Sequence, residues 1–333
     1  MTTLKNASIR FLKGYKKTAV FALTSRCNCK CEMCDMHRRE PESISLSDAK
    51  KILDFLEKNH FLVVYMTGGE PTLHPNVVEI VKYANDLGLI TTMTTNGTVN
   101  KRTLMDLKNA GLYLISVSLD HWDSIVCEKL RRHKDIMAKQ IGTLKYLKEI
   151  GLRTYALSFL NPTLIEDGVE KLVDYVTNVL GVPFGFCYPT TSDVNTYNLG
   201  GTLSQEASSI KLRKCIETIY TLKKNGREIA NLFTYIEDIK NFLEKKNPNF
   251  YCKGGEDVIY IDWLGDVYPC FLKGQNLFNI LNVEDPSFLK NVKCNDCLIN
   301  CFREPSLLPQ IFSPLHLFAK EVYYSFPTLS IYK

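Results

Sequence analysis

Three cysteines near the start of the chain share one short loop at a spacing suited to metal chemistry. Cys27, Cys31 and Cys34 follow a C-x3-C-x2-C pattern in the run TSRCNCKCEMCDM. Three thiolates on one loop can hold three irons of a [4Fe–4S] cluster and leave the fourth iron open to a chelating ligand. Tetrahedral zinc is the rival reading, because Cys29 would supply a fourth thiolate. Cys29 is not assigned as a ligand, since four ligands packed so closely leave little chain to wrap a metal.

A glycine-rich turn follows about thirty residues later, after the apolar run FLVVYM. Gly68 and Gly69 permit a close backbone approach, and Glu70 offers a carboxylate partner for an ammonium group. The cysteine pattern and this turn together resemble the radical S-adenosylmethionine (radical SAM) superfamily. The resemblance implies that the cysteines hold a [4Fe–4S] cluster, that the methionine moiety of SAM chelates the open iron, and that the GGE-type turn binds its amino group.

Strand and helix patterns alternate through the first 190 residues, with short connections. This alternation predicts an α/β fold with a parallel sheet, and six repeats are too few to close an eight-stranded barrel. The resemblance implies a partial (β/α)6 TIM-like barrel. The predicted strands are 18–25, 61–66, 89–97, 112–120, 153–160 and 182–189. The predicted helices are 47–59 with Ser47 as N-cap, 76–87, 103–110, 136–150 and 166–180.

Polar residues end several of these strands, where the chemistry of a parallel sheet is concentrated. The resemblance implies that such residues contact the ribose and carboxylate of SAM, although Asn-Gly and Asn-Pro pairs are also ordinary turn formers. Met33 would pack on the adenine or simply fill a gap. Arg131 or Arg132 would approach the SAM carboxylate or lie on a solvated helix face. The predicted cofactor contacts are Met33, Gly68, Gly69, Glu70, Thr95, Asn96, Ser118, Asp120, Arg131 and Asn161.

A second group of cysteines lies in the last quarter of the chain. Cys252 and Cys270 flank a predicted β-hairpin, and Cys294, Cys297 and Cys301 follow in a C-x2-C-x3-C spacing. This layout resembles the SPASM and Twitch auxiliary-cluster modules of radical SAM enzymes. The resemblance implies one auxiliary [4Fe–4S] cluster, held by Cys252, Cys270 and two of the last three, most simply Cys294 and Cys297. Zinc remains the alternative, because four such thiolates also suit it.

Two residues at the end of the sixth predicted strand are candidates for catalysis. Cys187 and Tyr188 would face a substrate cavity, and the resemblance implies that a thiol or phenol placed there can donate a hydrogen atom. A small buried hydrophobic residue is the alternative interpretation of Cys187.

Composition limits the class of protein. The chain has 333 residues, 45% of them hydrophobic, and 12 cysteines that cluster at metal-ligand rather than disulfide spacing. Those features, with no signal-peptide pattern, predict a reducing cytoplasm. A net charge of +5 is too mild to indicate nucleic-acid binding. The predicted regions are an N-terminal arm (1–17), the barrel (18–202), a helical linker (203–250), the auxiliary module (251–303) and an apolar tail (304–333).

The two ends of the chain carry apolar residues that leave two interpretations open. In the arm, Leu4, Phe11, Leu12 and Tyr15 fall near one helical face, and basic residues, Lys5 and Arg10 among them, lie largely elsewhere. Such a basic amphipathic arm and the apolar tail would either pack on the open barrel or make peripheral contact with a membrane surface.

The resemblance to radical SAM enzymes implies an enzyme that cleaves SAM to a 5′-deoxyadenosyl radical and removes hydrogen from an unactivated carbon. A flavodoxin or ferredoxin would be the reducing partner. A peptide is the first candidate substrate, because peptide modification is the commonest role of relatives with this layout. A lipid or isoprenoid is the second candidate, and another small molecule is the third. An iron–sulfur electron carrier or scaffold is the alternative of another class, and it would not need the GGEP turn.

Overall fold

The computed structural model describes residues 8–190, 209–248, 250–282, 285, 287, 289–290, 294–295, 297–311 and 315–330. Its centre is one nine-stranded sheet with the strand order β6-β5-β4-β3-β2-β1-β7-β8-β9. The strands are β1 (Lys17–Thr24), β2 (Phe61–Gly68), β3 (Ile90–Thr95), β4 (Leu114–Ser118), β5 (Thr154–Phe159), β6 (Phe184–Cys187), β7 (Val258–Ile261), β8 (Asp266–Tyr268) and β9 (Phe278–Asn279).

The first six strands pair in parallel, each with its neighbour in sequence. The sheet stays open, which confirms the predicted partial (β/α)6 barrel. The predicted hairpin is also present, because β7 and β8 pair antiparallel through Tyr260 and Tyr268. The sequence did not predict that β7 also pairs in parallel with β1, from Thr18 opposite Val258 to Phe21 opposite Ile261. The second cysteine module therefore continues the barrel sheet.

Helices connect and cover the strands. A short α1 (residues 8–12) precedes the barrel. The others are α2 (Leu46–Lys58), α3 (Val77–Asp86), α4 (Lys101–Asn109), α5 (Ser124–Arg131), α6 (Ile136–Glu149), α7 (Pro162–Asp167), α8 (Val169–Asp174), α9 (Ser209–Lys224), α10 (Phe233–Leu243), α11 (Asn300–Ile311) and α12 (Leu315–Ser330).

Local chemistry explains where the structure departs from the predicted helices. Helix α2 is capped by Ser45, which accepts from the Asp48 N–H, so the predicted Ser47 cap was wrong. The predicted helix 166–180 is broken at Gly168, whose φ of +99° separates α7 from α8, and it ends in a π-helical turn at Tyr175–Leu180. Helix α5 was missed; Asp123 caps its first turn.

The segment predicted as a linker packs closely on the barrel. Ile229, between α9 and α10, bridges to Phe184 of β6, and Tyr235 of α10 stacks on Phe186. Helix α11 is held to α10 by an ion pair between the fully buried Arg303 and Asp238. Residues of the predicted linker and tail therefore help to enclose the barrel; residues 203–208 and 249 lie outside the described residues.

Both ends of the chain pack against the barrel helices where the structure describes them. Arg10 stacks on Tyr15 and pairs with Glu57 of α2 at 3.2 Å. Leu12, predicted on the apolar face, is 86% exposed. Glu321 of α12 accepts from the Phe233 N–H of α10 at 2.8 Å. Leu4 and Lys5 lie outside the described residues, as do residues 312–314 and 331–333 of the tail.

None of the described helices combines the length and the apolar composition needed to cross a bilayer.

Candidate active site

The cysteine loop and the glycine-rich turn are joined by backbone hydrogen bonds. The loop leaves β1 after Thr24, and the turn leaves the adjacent strand β2. The Gly69 N–H donates to the Thr24 carbonyl, and the Glu70 N–H donates to the Arg26 carbonyl, both at 2.8 Å. The parallel pairing of β1 with β2 therefore brings together two motifs that are about thirty residues apart in sequence.

Glycine is required at both turn positions because the two backbones lie so close. A Cβ on Gly68 would lie 2.2 Å from the Thr24 carbonyl oxygen, and Gly68 has a φ of +130°. A Cβ on Gly69 would lie 2.2 Å from the Arg26 carbonyl oxygen. Neither contact can be relieved by a side-chain rotation, since both partners are backbone atoms.

Most of the predicted site residues line one cavity, which we name the cysteine cavity. Asp120 and Asn161 are the two predicted cofactor contacts that do not line it. The predicted residues that line it are Cys27, Cys31, Cys34, Met33, Gly68, Gly69, Glu70, Thr95, Asn96, Ser118 and Arg131. Residues that were not predicted as contacts complete the wall: Cys29, Met36, His37, Thr67, Thr94 and Phe159.

Glu70 is buried in this wall and is held by several donors. It accepts from the Thr95 hydroxyl at 2.9 Å, from the Asn96 N–H at 2.6 Å, and from both the hydroxyl and the N–H of Thr72. Burial nevertheless raises the pKa of the carboxyl above its usual value. An ammonium group in the cavity would stabilise the charged form of the Glu70 carboxyl, so the site suits a cationic ligand.

The thiols of the loop differ in their electrostatic environments. A side-chain hydrogen bond with Cys29, supported by the positive charge of Arg131, lowers the pKa of Cys31 to about 6. The Arg131 Nη1 donates to the Cys31 sulfur at 3.7 Å. Burial raises the pKa of Cys34 to about 12. Three thiols with a guanidinium beside them, converging on one cavity, suit a thiolate-ligated iron–sulfur cluster.

Asp120 and Asn161 lie behind the cavity and position the groups that line it. Asp120 accepts from Arg131 Nε at 2.5 Å and from the Phe159 N–H at 3.0 Å. Asn161 donates to the Asp120 carbonyl at 3.2 Å and caps α7 by accepting from the Leu164 N–H. The predicted ordinary turn role of Asn161 is therefore present in the structure, and the Arg131 side chain, only 13% exposed, is not solvated.

Four cysteines of the second group form a set around the β7–β8 hairpin. Burial is the largest cause of a raised pKa in two of them, to about 11 for Cys270 and to about 12 for Cys297. The charges of Cys252 and Cys294 also raise the pKa of both thiols. Cys270 and Cys297 are therefore buried thiols within electrostatic range of Cys252 and Cys294, so the four cysteines lie in one region of the module.

Cys301 lies within electrostatic range of Cys270, Cys297 and Cys187. At the start of α11, it lines a second cavity together with Cys187 and Tyr188, which we name the central cavity. Burial raises the pKa of Cys187 and of Tyr188 to about 12. The central cavity shares part of its wall with the cysteine cavity: Thr67, Thr94, Ser118, Arg131 and Phe159.

Two wall residues that were not assigned as cofactor contacts carry a signal in the sequence. Thr94 and Phe159 stand at or near the ends of β3 and β5, where alternation along a strand places every second residue on one face. Tyr65 of β2 bonds the Thr94 hydroxyl, which bonds Ser116 at 2.6 Å, so these polar side chains form a row across the sheet. For Cys301, by contrast, the sequence spacing suggested a metal ligand.

Comparison with known proteins identifies the class. The family model described as the Radical SAM superfamily matches residues 21–176, which contain both motifs of the cysteine cavity. Residues 21–176 therefore form a radical SAM domain, and the members of this superfamily use SAM and a [4Fe–4S] cluster.

Particular relatives show how far the likeness extends. The chain is 27% identical over 274 residues to the antilisterial bacteriocin subtilosin biosynthesis protein AlbA of Bacillus subtilis, covering 79% of this chain and 57% of AlbA. It is 26% identical over 287 residues to the GTP 3′,8-cyclase of Aquifex aeolicus, covering 83% of this chain and 88% of that protein.

A solved structure shows the same fold. SuiB of Streptococcus suis, bound to S-adenosylmethionine, superposes with a TM-score of 0.65 at 20% identity, covering 87% of this chain and 71% of SuiB. SuiB has also been solved bound to its precursor peptide SuiA.

Proposed function

We propose that this enzyme removes a hydrogen atom from an unactivated carbon of a peptide substrate, with SAM bound in the cysteine cavity. The bound cluster and SAM would supply the electron and the 5′-deoxyadenosyl radical for that step. The observation that carries the proposal is that the three loop thiols and the buried Glu70 line the same cavity. An electron carrier would not need this buried carboxylate.

The protein's own residues would bind and orient the cofactors. Cys27, Cys31 and Cys34 would hold the cluster, and Glu70 would accept hydrogen bonds from the SAM ammonium group. Arg131 would remain fixed by Asp120, with its guanidinium beside the Cys31 sulfur. A cation so close to a thiolate stabilises negative charge on the sulfur.

Cys252, Cys270, Cys294 and Cys297 would hold one auxiliary [4Fe–4S] cluster. The burial of Cys252 and Cys270 and the electrostatic influence among the four cysteines support this assignment. Cys301 would remain outside the ligand set, because the C-x2-C pair Cys294 and Cys297 completes it most simply. Cys187 or Tyr188 would donate the hydrogen atom that quenches a substrate radical there.

A peptide is the substrate class that the relatives favour. AlbA takes its name from bacteriocin biosynthesis, and SuiB binds a precursor peptide. The likeness to GTP 3′,8-cyclase, which spans more of that relative, favours a nucleotide as the second candidate. A lipid at a membrane surface is the third, on the apolar character of the tail. A flavodoxin or ferredoxin would supply the electron.

Deuterium transfer tests this proposal directly. The protein would be reconstituted with iron and sulfide without oxygen, reduced, and supplied with SAM. Uniformly deuterated peptides, unlabelled GTP and a total lipid extract would be added in separate samples. Mass spectrometry would then measure the amount of 5′-deoxyadenosine and its deuterium content.

Peptide-stimulated 5′-deoxyadenosine that carries deuterium would support the proposal. Stimulation by GTP or by lipid alone would replace the peptide with that substrate class. A fully loaded protein that forms no 5′-deoxyadenosine in any sample would refute the function itself. Glu79→Gln, which changes an exposed glutamate on α3, serves as the control for the reconstitution.

A further inference from the structure

A third cavity lies inside the barrel, below the central cavity, and no motif or relative assigns it a role. We name it the lower chamber. It has a volume of about 280 Å³, close to the lower end of the range for small-molecule sites. Its walls include Val63 of β2 and Leu114 of β4, near the amino ends of their strands, and α11 lies on the open side.

The lower chamber adjoins the central cavity. Tyr65, Asn300 and Cys301 line both. Along β2 the wall runs from Thr67, beside the cysteine cavity, to Val63, four residues earlier. At about 3.3 Å per residue the two positions are about 13 Å apart. A substrate held beside SAM could therefore extend one long side group into the lower chamber.

One carboxyl group faces the chamber. Among the described residues that line it, Glu304 of α11 is the only one with a carboxyl, amino, guanidinium or imidazole side chain. Its carboxyl accepts from the Leu232 N–H at 2.7 Å and from Asn231 Nδ2 at 3.2 Å. No described lysine or arginine lies within ion-pairing distance of it, and the nearby Lys223 ammonium donates to the Ile229 carbonyl at 2.7 Å.

We propose that the lower chamber binds an ammonium group of the substrate through Glu304, with the apolar stem of that group against Val63, Leu114 and Leu232. This inference rests on the proposed function and narrows its substrate to one with an amine on an apolar chain, such as a peptide with a basic side chain. Each carboxylate oxygen has a lone pair left after its one hydrogen bond, so an ammonium donor can be added without displacing Leu232 or Asn231.

The electrostatics of the chamber support a cationic ligand. Burial raises the pKa of Glu304 to about 8, so at neutral pH the carboxyl is mainly protonated. An ammonium group would favour the ionised form, and the carboxyl proton would pass to the buffer when the ligand binds. An alcohol with the same carbon chain as the amine would bind the apolar wall without releasing that proton.

Calorimetry with simple amines tests the inference on the reconstituted protein with SAM bound. The probes are n-butylamine, n-hexylamine and n-octylamine, with n-hexanol as the neutral match. We expect hexylamine to bind more tightly than hexanol and to release about one proton, seen as a dependence of the binding heat on the buffer. Glu304→Gln should weaken hexylamine binding about 10- to 100-fold and leave hexanol binding unchanged.

Two further variants keep the test decisive. Glu79→Gln makes the same chemical change on the exposed face of α3 and should leave both affinities unchanged. Leu114→Trp should block hexylamine and hexanol alike, because it fills the chamber without touching the carboxylate. Equal affinities for hexylamine and hexanol, unaltered amine binding in Glu304→Gln, or no saturable binding would each overturn the inference. 5′-Deoxyadenosine formed from SAM in the same samples would show that the proposed function survives such a result.

Discussion

Replacing Glu70 by glutamine separates the charge of the buried carboxylate from its shape. The Asn96 N–H, at 2.6 Å, must face an acceptor, so the new amide oxygen has to take that side. The amide NH2 then faces the hydroxyls of Thr72 and Thr95, which can rotate to accept. The Thr72 N–H, at 3.2 Å, loses its acceptor. We therefore expect a modest cost of about 1 kcal/mol to folding.

The effect of Glu70→Gln on SAM should be larger than its effect on the fold. A hydrogen bond to a charged group contributes about 1.5 to 3 kcal/mol, so losing the carboxylate charge should weaken SAM binding about 10- to 150-fold. Equilibrium dialysis on the reconstituted variant measures this change, and iron analysis reports the cluster content. Glu79→Gln is the matched control. A change of less than about twofold, with full iron content, would show that Glu70 does not bind the SAM ammonium group.

Three further predictions concern the turn, the auxiliary centre and the lower chamber. Gly69→Ala should lower the free energy of unfolding by about 1 to 3 kcal/mol, because the new Cβ would meet the backbone of the cysteine loop. As the control, Gly142→Ala has open space around its new Cβ and should slightly raise the thermal midpoint of unfolding. Cys294→Ala should lower iron from about eight to about four per chain, whereas Cys301→Ala should leave it unchanged. The pKa of Glu304 is raised to about 8 from 4.5, so its stabilising contribution is complete below about pH 4.5 and is lost as pH rises through about 8. The advantage of the wild type over Glu304→Gln in thermal midpoint should therefore shrink between about pH 5 and pH 9.

The sequence predicted those parts of the site that depend on local spacing. The cysteine loop and the glycine turn each fit within ten residues, and each follows a strand that its apolar pattern predicts. Once β1 and β2 pair in parallel, their carboxyl ends must meet. The strand-end residues Thr95, Asn96 and Ser118 reach the cavity for the same reason.

Contacts between distant segments could not be read from spacing. Arg131 looked like a solvated helix residue because nothing near it in sequence shows that Asp120 and Cys31 lie beside it. The hydrogen bond to Cys31 joins residues 100 positions apart. The C-x2-C-x3-C spacing of Cys301 does not show that it begins α11 and lines the central cavity. Helix packing, not spacing, determines both positions.

The shared walls of the three cavities yield a prediction about substrate length. Ser118 and Arg131 line both the cysteine cavity and the central cavity, and Tyr65 lines both the central cavity and the lower chamber. If Glu304 anchors an ammonium group at one end, the carbon that meets the radical is set by the length of the stem between them. Peptides whose basic side chain is shortened one methylene at a time should then show deuterium transfer that peaks at one length, because a displacement of about 1 Å can cost about 100-fold in rate. Transfer that is independent of stem length would mean that the substrate is positioned from the mouth of the barrel and that Glu304 has no part in it.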